Sequence, residues 1–223
     1  MLLAIDTATR WASLALHDGG QVRAELTWEI ADHHTVELMP QMVWMMERIG
    51  TQASDLAALA VSIGPGSFTG LRVGLAIAKG LALANAIPIV GVPTFEVVAG
   101  AQSVRRGSLV VALQAGRGKL ATLRYRPLRG GWRSQGAVVV TTVERIGEDW
   151  TAPAWLCGEL DAAELASIRA RLGDRVNLID PARSLRRAGF LAELGWRRIR
   201  SGDVDDLDAL KPIYIPTAGV TAG

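Results

Sequence analysis

The stretch Ser62-Ile63-Gly64-Pro65-Gly66-Ser67-Phe68-Thr69-Gly70-Leu71-Arg72 joins two segments of different character. The apolar run before it, residues 56–63, has the length of a strand, whereas the Ala- and Gly-rich segment 71–86 is typical of a helix. Its glycines permit backbone angles that a side chain forbids, and Ser67 or Thr69 can cap the helix. The stretch therefore predicts a tight strand-to-helix corner.

Such a corner has two interpretations. Backbone N–H groups and the positive end of a helix converge there, and anions bind at helix N-termini for this reason. A P-loop is excluded, because Leu71-Arg72 follows Gly70 where that motif has Lys and then Ser or Thr. The other interpretation is that small residues are needed only for close packing. Both stay open from the residues alone.

Composition indicates one large folded domain or two small lobes. The 223 residues are 49% hydrophobic, which excludes extensive disorder. The first residues carry no basic region, so we expect no signal peptide. The apolar run 71–93 is interrupted by Arg72, Lys79 and several glycines, so we expect no membrane span. The single cysteine, Cys157, cannot form an internal disulfide and suits a reducing, cytoplasmic location.

Charge is distributed unevenly along the chain. Residues 1–100 carry a net charge of −4 and residues 101–223 one of +6. A basic second half fits nucleic acid, an acidic partner or an ordinary solvated surface. Six arginines lie in a helix predicted over 182–200, but neither an RNA-binding motif nor a stacking pattern accompanies them. They are Arg183, Arg186, Arg187, Arg197, Arg198 and Arg200.

Periodicity in the first hundred residues predicts one α/β lobe that opens with a three-stranded antiparallel meander. The predicted strands are 2–5, 11–16, 22–28, 56–63 and 87–92, and the predicted helices are 35–49, 70–86 and 95–101. The second half repeats the opening meander, which predicts a second lobe built alike. Its predicted strands are 108–113, 119–125, 138–140, 154–157 and 176–179, and its predicted helices are 161–172, with a capping box, and 182–200.

Two groups of polar side chains are candidate ligands. Asp6, followed by Thr7, lies where the first strand ends, and a carboxylate there either holds Mg²⁺–phosphate or satisfies the N–H groups of the turn. His33 and Glu37 have the i, i+4 spacing of helical metal-binding pairs. No third ligand accompanies this pair, so we predict no metal site.

The first helix is apolar over more of its circumference than one core-facing stripe requires. Its methionines suit an adaptable partner surface, although a helix sandwiched inside its own lobe has the same pattern. The second helix carries small residues along its length, which lets another helix approach closely.

These residues resemble the TsaB (YeaZ) family, the dimerization subunit of the bacterial machinery that makes threonylcarbamoyl-adenosine in tRNA. The resemblance is clear over residues 1–100, and near the end Pro212-Ile213-Tyr214-Ile215 is similar to the family's Pro-x-Tyr-Leu. The matching segments are Ala4-Ile5-Asp6-Thr7-Ala8, His34-Thr35 with Leu38-Met39-Pro40, the corner from Gly64 to Gly74, Ala78-Lys79-Gly80-Leu81-Ala82 and Gly91-Val92-Pro93-Thr94.

The resemblance implies an actin/Hsp70-like (RNase H-like) α/β fold. Two similar lobes would each contain a mixed sheet that opens with an antiparallel meander and is flanked by helices. We expect the first lobe over 1–103, the second over 104–206 and a C-terminal tail, 207–223, packing back on the body.

The resemblance also implies a non-catalytic scaffold that docks a TsaD-like catalytic subunit and forms a homodimer when alone. ATP chemistry would belong to the TsaD-like subunit and a TsaE-like ATPase, so this chain would require no cofactor. Only the complex, and not this chain alone, would bind tRNA. The implied interface lies on the first two helices, with Met42 and Met46 facing outward. It comprises Leu38, Met39, Met42, Val43, Met46, Gly70, Leu71, Val73, Gly74, Ile77 and Ala78.

One segment departs from the family pattern. Gln114-Ala115-Gly116-Arg117-Gly118-Lys119 stands where relatives usually have Asp-Ala-Arg-x-x-Glu. In ATPases of this fold a carboxylate of the second lobe helps to hold metal or water, and Gln114 has no titrating proton. The predicted nucleotide site is therefore vestigial, and its residues are Asp6, Thr7, Gly64 and Gly66.

Two enzyme functions remain as alternatives. An actin-fold ATP-dependent phosphotransferase would use Asp6 and the glycine corner. A metallopeptidase would need a ligand triad or a nucleophile, and the sequence pattern indicates neither.

Overall fold

The computed structural model describes residues 1–30 and 34–215, with the side chains of 34–36 left aside. The chain divides into two compact units. The first comprises residues 1–97 together with 187–214, and the second is built mainly from residues 98–186.

The first unit contains a five-stranded mixed sheet in the order β3-β2-β1-β4-β5. The first three strands form the predicted antiparallel meander, while β4 and β5 continue the sheet parallel to β1. The strands are β1 (Leu2–Asp6), β2 (Trp11–His17), β3 (Val22–Glu29), β4 (Ala58–Gly64) and β5 (Ile89–Pro93).

Helices cover both faces of this sheet. Strand residues alternate between the faces, so Leu3 and Ile5 pack against α1 (His34–Arg48) and α2 (Phe68–Asn85). Leu2 and Ala4 contact the opposite layer, which contains Leu191 and Ala192. Because both faces are covered, β1 is buried throughout and is apolar up to Asp6, its last residue.

The second unit repeats the plan with a sheet in the order β10-β9-β6-β7-β8. The predicted capping box is present, since Asp161 and Glu164 each accept the other's backbone N–H at 2.8 Å. Helix α3 (Thr94–Gly100) begins in the first unit and ends in the second. The other elements of the second unit are β6 (Ser108–Gln114), β7 (Lys119–Leu128), β8 (Gly131–Thr142), β9 (Ala154–Gly158), α4 (Ala162–Leu172), β10 (Val176–Leu178) and α5 (Pro181–Ser184).

The helix predicted over 182–200 is wrong as one element. The structure has α5 and then a separate helix, α6 (Ala188–Arg200), with Leu185 extended between them. Arg186 lies in this break, 2% exposed, and forms an ion pair with the buried side chain of Glu159. A buried guanidinium needs a partner, and the break places it against one.

The predicted lobe boundaries at 103 and 206 also differ from the structure, because α6 belongs to the first unit. It packs on the face of the first sheet opposite α1 and α2. The approach is close at Gly195, where a Cβ would lie 2.5 Å from the Ala60 side chain. Burial of this apolar helix face decides which sheet it joins.

The segment after α6 returns along the edge of the first sheet. Gly91 donates its backbone N–H to Asp205 Oδ2 at 2.7 Å, and Ile213 donates to the Ile63 carbonyl at 2.6 Å. Arg198 forms ion pairs with Asp203 and Asp205, and its hydrogen bond to Asp203 raises the pKa of its guanidinium. The predicted tail therefore packs on the first unit as far as residue 214, and residues 216–223 lie outside the described part.

Within residues 1–30 and 34–215, no helix has the length and apolar character needed to cross a bilayer.

Candidate functional site

The glycine corner and the end of β1 lie at one edge of the first sheet. Strands β1 and β4 are parallel neighbours, with Ile5 opposite Val61, so their carboxyl ends meet there. Ser67 caps α2 as predicted, since its Oγ accepts the Gly70 N–H at 3.3 Å. The fold thus brings together the four residues predicted as a nucleotide site: Asp6, Thr7, Gly64 and Gly66.

The two polar side chains of this set are buried and bonded within the chain. Asp6 is 0% exposed, and its Oδ1 accepts hydrogen bonds from the Ala8 N–H at 3.0 Å and from Ser62 Oγ at 2.7 Å. Thr7 Oγ1 donates to the Gly70 carbonyl at 2.7 Å. Asp6 therefore satisfies its own turn, one of the two roles considered from the sequence.

The glycines of the corner are required by backbone packing. Gly64 has a φ of +109°, and a Cβ there would collide with the Ile213 carbonyl. A Cβ on Gly66 would collide with the Ala8 carbonyl in the same way. The space in front of both glycines is filled by this chain's own backbone, so close packing accounts for them without a bound anion. Nucleotide binding at this edge stays a prediction.

Gln114 has a clear structural partner in the second unit. Its Nε2 donates to the Glu159 carbonyl at 3.0 Å and to both carboxylate oxygens of Glu164 at 3.1 Å. Glu164 is the residue that completes the capping box of α4. A carboxylate at position 114 could not donate these bonds and would face Glu164 with like charge.

Neither a metal site nor a reactive cysteine emerges from the described residues. Among residues 1–30 and 34–215, no three His, Cys, Asp or Glu side chains are grouped to hold an ion. His33 lies outside the described residues, as does the side chain of His34. Burial raises the pKa of the Cys157 thiol to about 12, so it carries no thiolate at neutral pH.

The predicted interface residues fall into two groups. Met42 and Met46, expected to face outward, are 3% and 6% exposed because they pack on the sheet in the core of the first unit. That expectation is wrong. The other predicted interface residues that are buried in this chain are Leu38, Gly70, Leu71, Gly74 and Ala78.

The remaining predicted interface residues lie on the outer sides of α1 and α2. Met39 and Val43, one turn apart on α1, are 40% and 48% exposed. Val73 and Ile77, also one turn apart, are partly exposed on α2. We call these four side chains the outer rows of α1 and α2. The structure also exposes Trp44 on α1, at 48% exposure and with the Arg48 guanidinium 5.2 Å from its ring.

A second exposed cluster lies at the beginning of α2. The Arg72 guanidinium lies 3.6 Å from the centre of the Phe68 ring, and its Nε donates to Tyr214 Oη at 3.1 Å. Phe68 and Tyr214 are 55% and 42% exposed. Sequence reasoning identified Tyr214 only as part of a family signature, because its distance from Phe68 in the chain hides their contact.

The arginines of the 182–200 segment are largely neutralised within the chain. Arg186, Arg187 and Arg198 each form ion pairs with Glu or Asp, so their charges are not presented as one basic surface. Arg183, Arg197 and Arg200 are exposed.

Comparison with known proteins places this geometry in a family. Residues 27–152 match the family described as TsaD: tRNA N6-adenosine threonylcarbamoyltransferase. The chain is 36% identical over 151 residues to the tRNA threonylcarbamoyladenosine biosynthesis protein TsaB of Escherichia coli, an alignment that covers 66% of this chain and 64% of the relative. It is 28% identical to the Bacillus subtilis protein of the same name, over 99% of this chain and 96% of that relative.

A solved structure agrees with these relatives. YeaZ from Pseudomonas aeruginosa superposes with a TM-score of 0.78 at 25% identity, covering 96% of this chain and 99% of that one. With two mixed sheets flanked by helices, this likeness confirms the predicted actin-like fold. The alignment with the Escherichia coli protein nevertheless spans less than two thirds of that relative's length. The chain belongs to the TsaB/YeaZ family.

Proposed function

We propose that this chain is a non-catalytic subunit of the machinery that makes threonylcarbamoyladenosine in tRNA, and that it docks a TsaD-like catalytic subunit. The names of its relatives supply the pathway. The observation that carries the docking role is the outer row of α1, where Met39 and Val43 lie in solvent. Val73 and Ile77 on α2 are partly exposed and extend this apolar surface.

The outer rows have the character of a docking surface. Met39, Val43 and Trp44 on α1 are each at least 40% exposed. Aromatic residues and methionine are enriched in the cores of protein interfaces, where charged residues are depleted. A stable interface buries about 800 Å² on each partner, an area that two neighbouring helices can supply.

The family match suggests how such a partner would bind. Residues 27–152, which match the TsaD family, include both α1 and α2. A TsaD-like subunit would then carry helices equivalent to these, so two similar surfaces would meet about an approximate two-fold axis. A second copy of this chain would use the same surface, which accounts for the homodimer that we propose in the absence of the partner.

The contacts within the glycine corner support the proposal that this chain is not catalytic. Asp6 Oδ1 already accepts two hydrogen bonds, and backbone fills the space in front of Gly64 and Gly66. Gln114 is engaged with Glu164 and has no proton to transfer. In this proposal ATP or ADP is bound by the partners, a TsaE-like ATPase joins through the complex, and the complex works in the cytoplasm with no membrane contact.

The proposal is tested by size-exclusion chromatography with light scattering, on the chain alone and mixed with the TsaD-like subunit of the same cell. We expect a homodimer alone and a mixed complex that replaces it. ATP turnover is measured on the chain alone in parallel. No mixed complex, together with turnover by this chain, would refute the scaffold and favour the phosphotransferase alternative.

A further inference from the structure

The basic character of the second half is concentrated in one region that the proposed function does not use. Residues 97–143 contain eight Lys or Arg and no Asp or Glu. They include the three strands β6, β7 and β8 of the second sheet. The eight are Arg105, Arg106, Arg117, Lys119, Arg124, Arg126, Arg129 and Arg133.

Three of these arginines are exposed at the outer end of the β7–β8 hairpin. Arg126 and Arg133 are directly opposite in the register of the two strands, and Arg129 lies at the turn that joins them. Residues directly opposite in an antiparallel pair share one face of the sheet. We call these three residues the arginine arm.

The arm is not explained by stability. Like charges directly opposite on neighbouring strands destabilise the pair. Among residues 1–30 and 34–215, no ion pair involves Arg126, Arg129 or Arg133, in contrast to the paired Arg186, Arg187 and Arg198. A cross-strand pair of unneutralised guanidiniums is therefore a cost to the fold, and binding of an anion would offset it.

The basic face continues from the arm toward a cavity of about 620 Å³. Arg124, two residues before Arg126 on the same strand, lines this cavity together with Lys119 and Gln135. Glu148 and Asp149 also line it, so the continuous positive charge is that of the arm and Arg124. The Arg124 guanidinium is held in place, because it donates to Ser108 Oγ at 3.1 Å and lies 5.6 Å from the centre of the Trp150 ring. The anionic ligand would thus meet a surface with partly fixed charges.

We propose that the arginine arm binds the phosphodiester backbone of RNA. The arm presents three exposed arginines in a segment without Asp or Glu. A cluster of exposed positive charge is the footprint of phosphate binding, whereas protein interfaces are built on buried apolar anchors. Trp132, which precedes Arg133, is partly buried, and its Nε1 donates to the Gln102 carbonyl at 3.1 Å, so this ring is held within the fold. Contact is therefore with phosphates, which confers affinity without base specificity.

The test measures fluorescence anisotropy of labelled tRNA with the chain alone and in its complex. The choice of tRNA rests on the proposed function, whereas phosphate binding by the arm does not. The test variant is R126Q/R129Q/R133Q. The control variant, R183Q/R197Q/R200Q, removes the same charge from exposed arginines elsewhere. Thermal unfolding followed by circular dichroism checks that both variants fold.

We expect the arm variant to bind tRNA at least about tenfold more weakly at low salt, and the control within about threefold of the unmodified chain. Affinity falls as salt rises, and each lost phosphate contact makes the slope of log K against log salt shallower by about 0.7 to 0.9. The slope of the arm variant should therefore be shallower by about two. Single-stranded DNA of equal length that competes with tRNA would support backbone recognition.

Three results would overturn the inference: equal losses in both variants, no tRNA binding by the unmodified chain or its complex at low salt, or displacement of tRNA by polyglutamate at equal charge. The two proposals fail separately. A chain that binds tRNA through the arm but does not dock the TsaD-like subunit refutes only the scaffold. A chain that docks, and whose arm variant binds tRNA normally, refutes only the arm.

Discussion

Gly66 lies directly against the carbonyl group of Ala8. The N–H of the next residue, Ser67, donates to that carbonyl at 2.5 Å, and a Cβ on Gly66 would collide with it. The beginning of α2 is therefore fastened to the loop that follows β1. The glycine corner therefore packs backbone against backbone where the neighbouring strands β1 and β4 end.

Gly66→Ala should destabilise the protein. Both clashing atoms belong to backbone, which cannot move aside as a side chain can, so we expect a cost of about 1–3 kcal/mol or more. The midpoint of thermal unfolding should fall by about 2–4 °C per kcal/mol in a chain of this size.

The matched control is Gly80→Ala, because Gly80 lies within α2 and a Cβ there meets nothing within 4 Å. Alanine favours a helix over glycine by about 1 kcal/mol, so this variant should be more stable than the unmodified protein. Equal stability of the two variants would contradict the packing role of the corner.

Met42→Ala should cost about 2–5 kcal/mol of unfolding free energy, because Met42 is 3% exposed and its removal leaves a cavity in the core. Met39→Ala, three residues earlier and 40% exposed, should cost less than about 0.5 kcal/mol. Urea unfolding measures both. Similar values for the two would mean that α1 presents a different face to the sheet.

These two methionines illustrate what the sequence could and could not predict. Periodicity predicted α1 and the strands before and after it in the chain, because a buried strand or an amphipathic helix imposes its own spacing. Apolar residues on both sides of α1 left the choice of inward face open, and only the packed sheet decides it. Met42 faces the core, while Met39 and Val43 remain outside.

The errors beyond α1 have a similar cause. Aliphatic residues at helical spacing with arginines between them predicted one continuous helix over 182–200. The buried ion pair of Arg186 with Glu159 and the break beside it could not be seen in that pattern. The contact of Phe68 with Tyr214 joins residues far apart in the chain. The glycines were predicted correctly to form a corner, yet only the structure shows that Ala8 and Ile213 fill the space before them.

Gln114→Glu should destabilise the second unit by about 1 kcal/mol at neutral pH. The new carboxylate would lose the hydrogen bonds to Glu164 and repel it. Repulsion raises the pKa of a carboxyl group. The loss of unfolding free energy in this variant should therefore become smaller as the pH falls and the new carboxyl group gains its proton.

Gln114→Ala removes the same hydrogen bonds without adding charge, so its loss of unfolding free energy should change little between pH 7 and pH 4. Urea unfolding between pH 7 and pH 4 separates the two variants. A Gln114→Glu deficit that is independent of pH would contradict the close approach to Glu164.

Asp18 should titrate far below an ordinary aspartate. The backbone N–H groups of Gly20 and Gln21, with a smaller contribution from Arg23, lower its pKa from 3.8 to about 2. A lowered pKa stabilises the folded state above the unfolded value, and this stabilisation is lost as the pH falls from about 4 to about 2. Carbon NMR of the carboxyl group measures the midpoint, and a value near 4 would contradict the turn geometry.

The docking role is tested most directly by calorimetric titration of the TsaD-like subunit with Met39→Glu/Val43→Glu. The matched control is Val104→Glu/Val139→Glu, which adds the same charge at two exposed valines of the second unit. We expect the α1 variant to fold normally and to bind at least about 100-fold more weakly, since charge is excluded from interface cores, and the control to bind normally. Unchanged affinity of the α1 variant, or an equal loss in the control, would contradict docking through the outer row of α1.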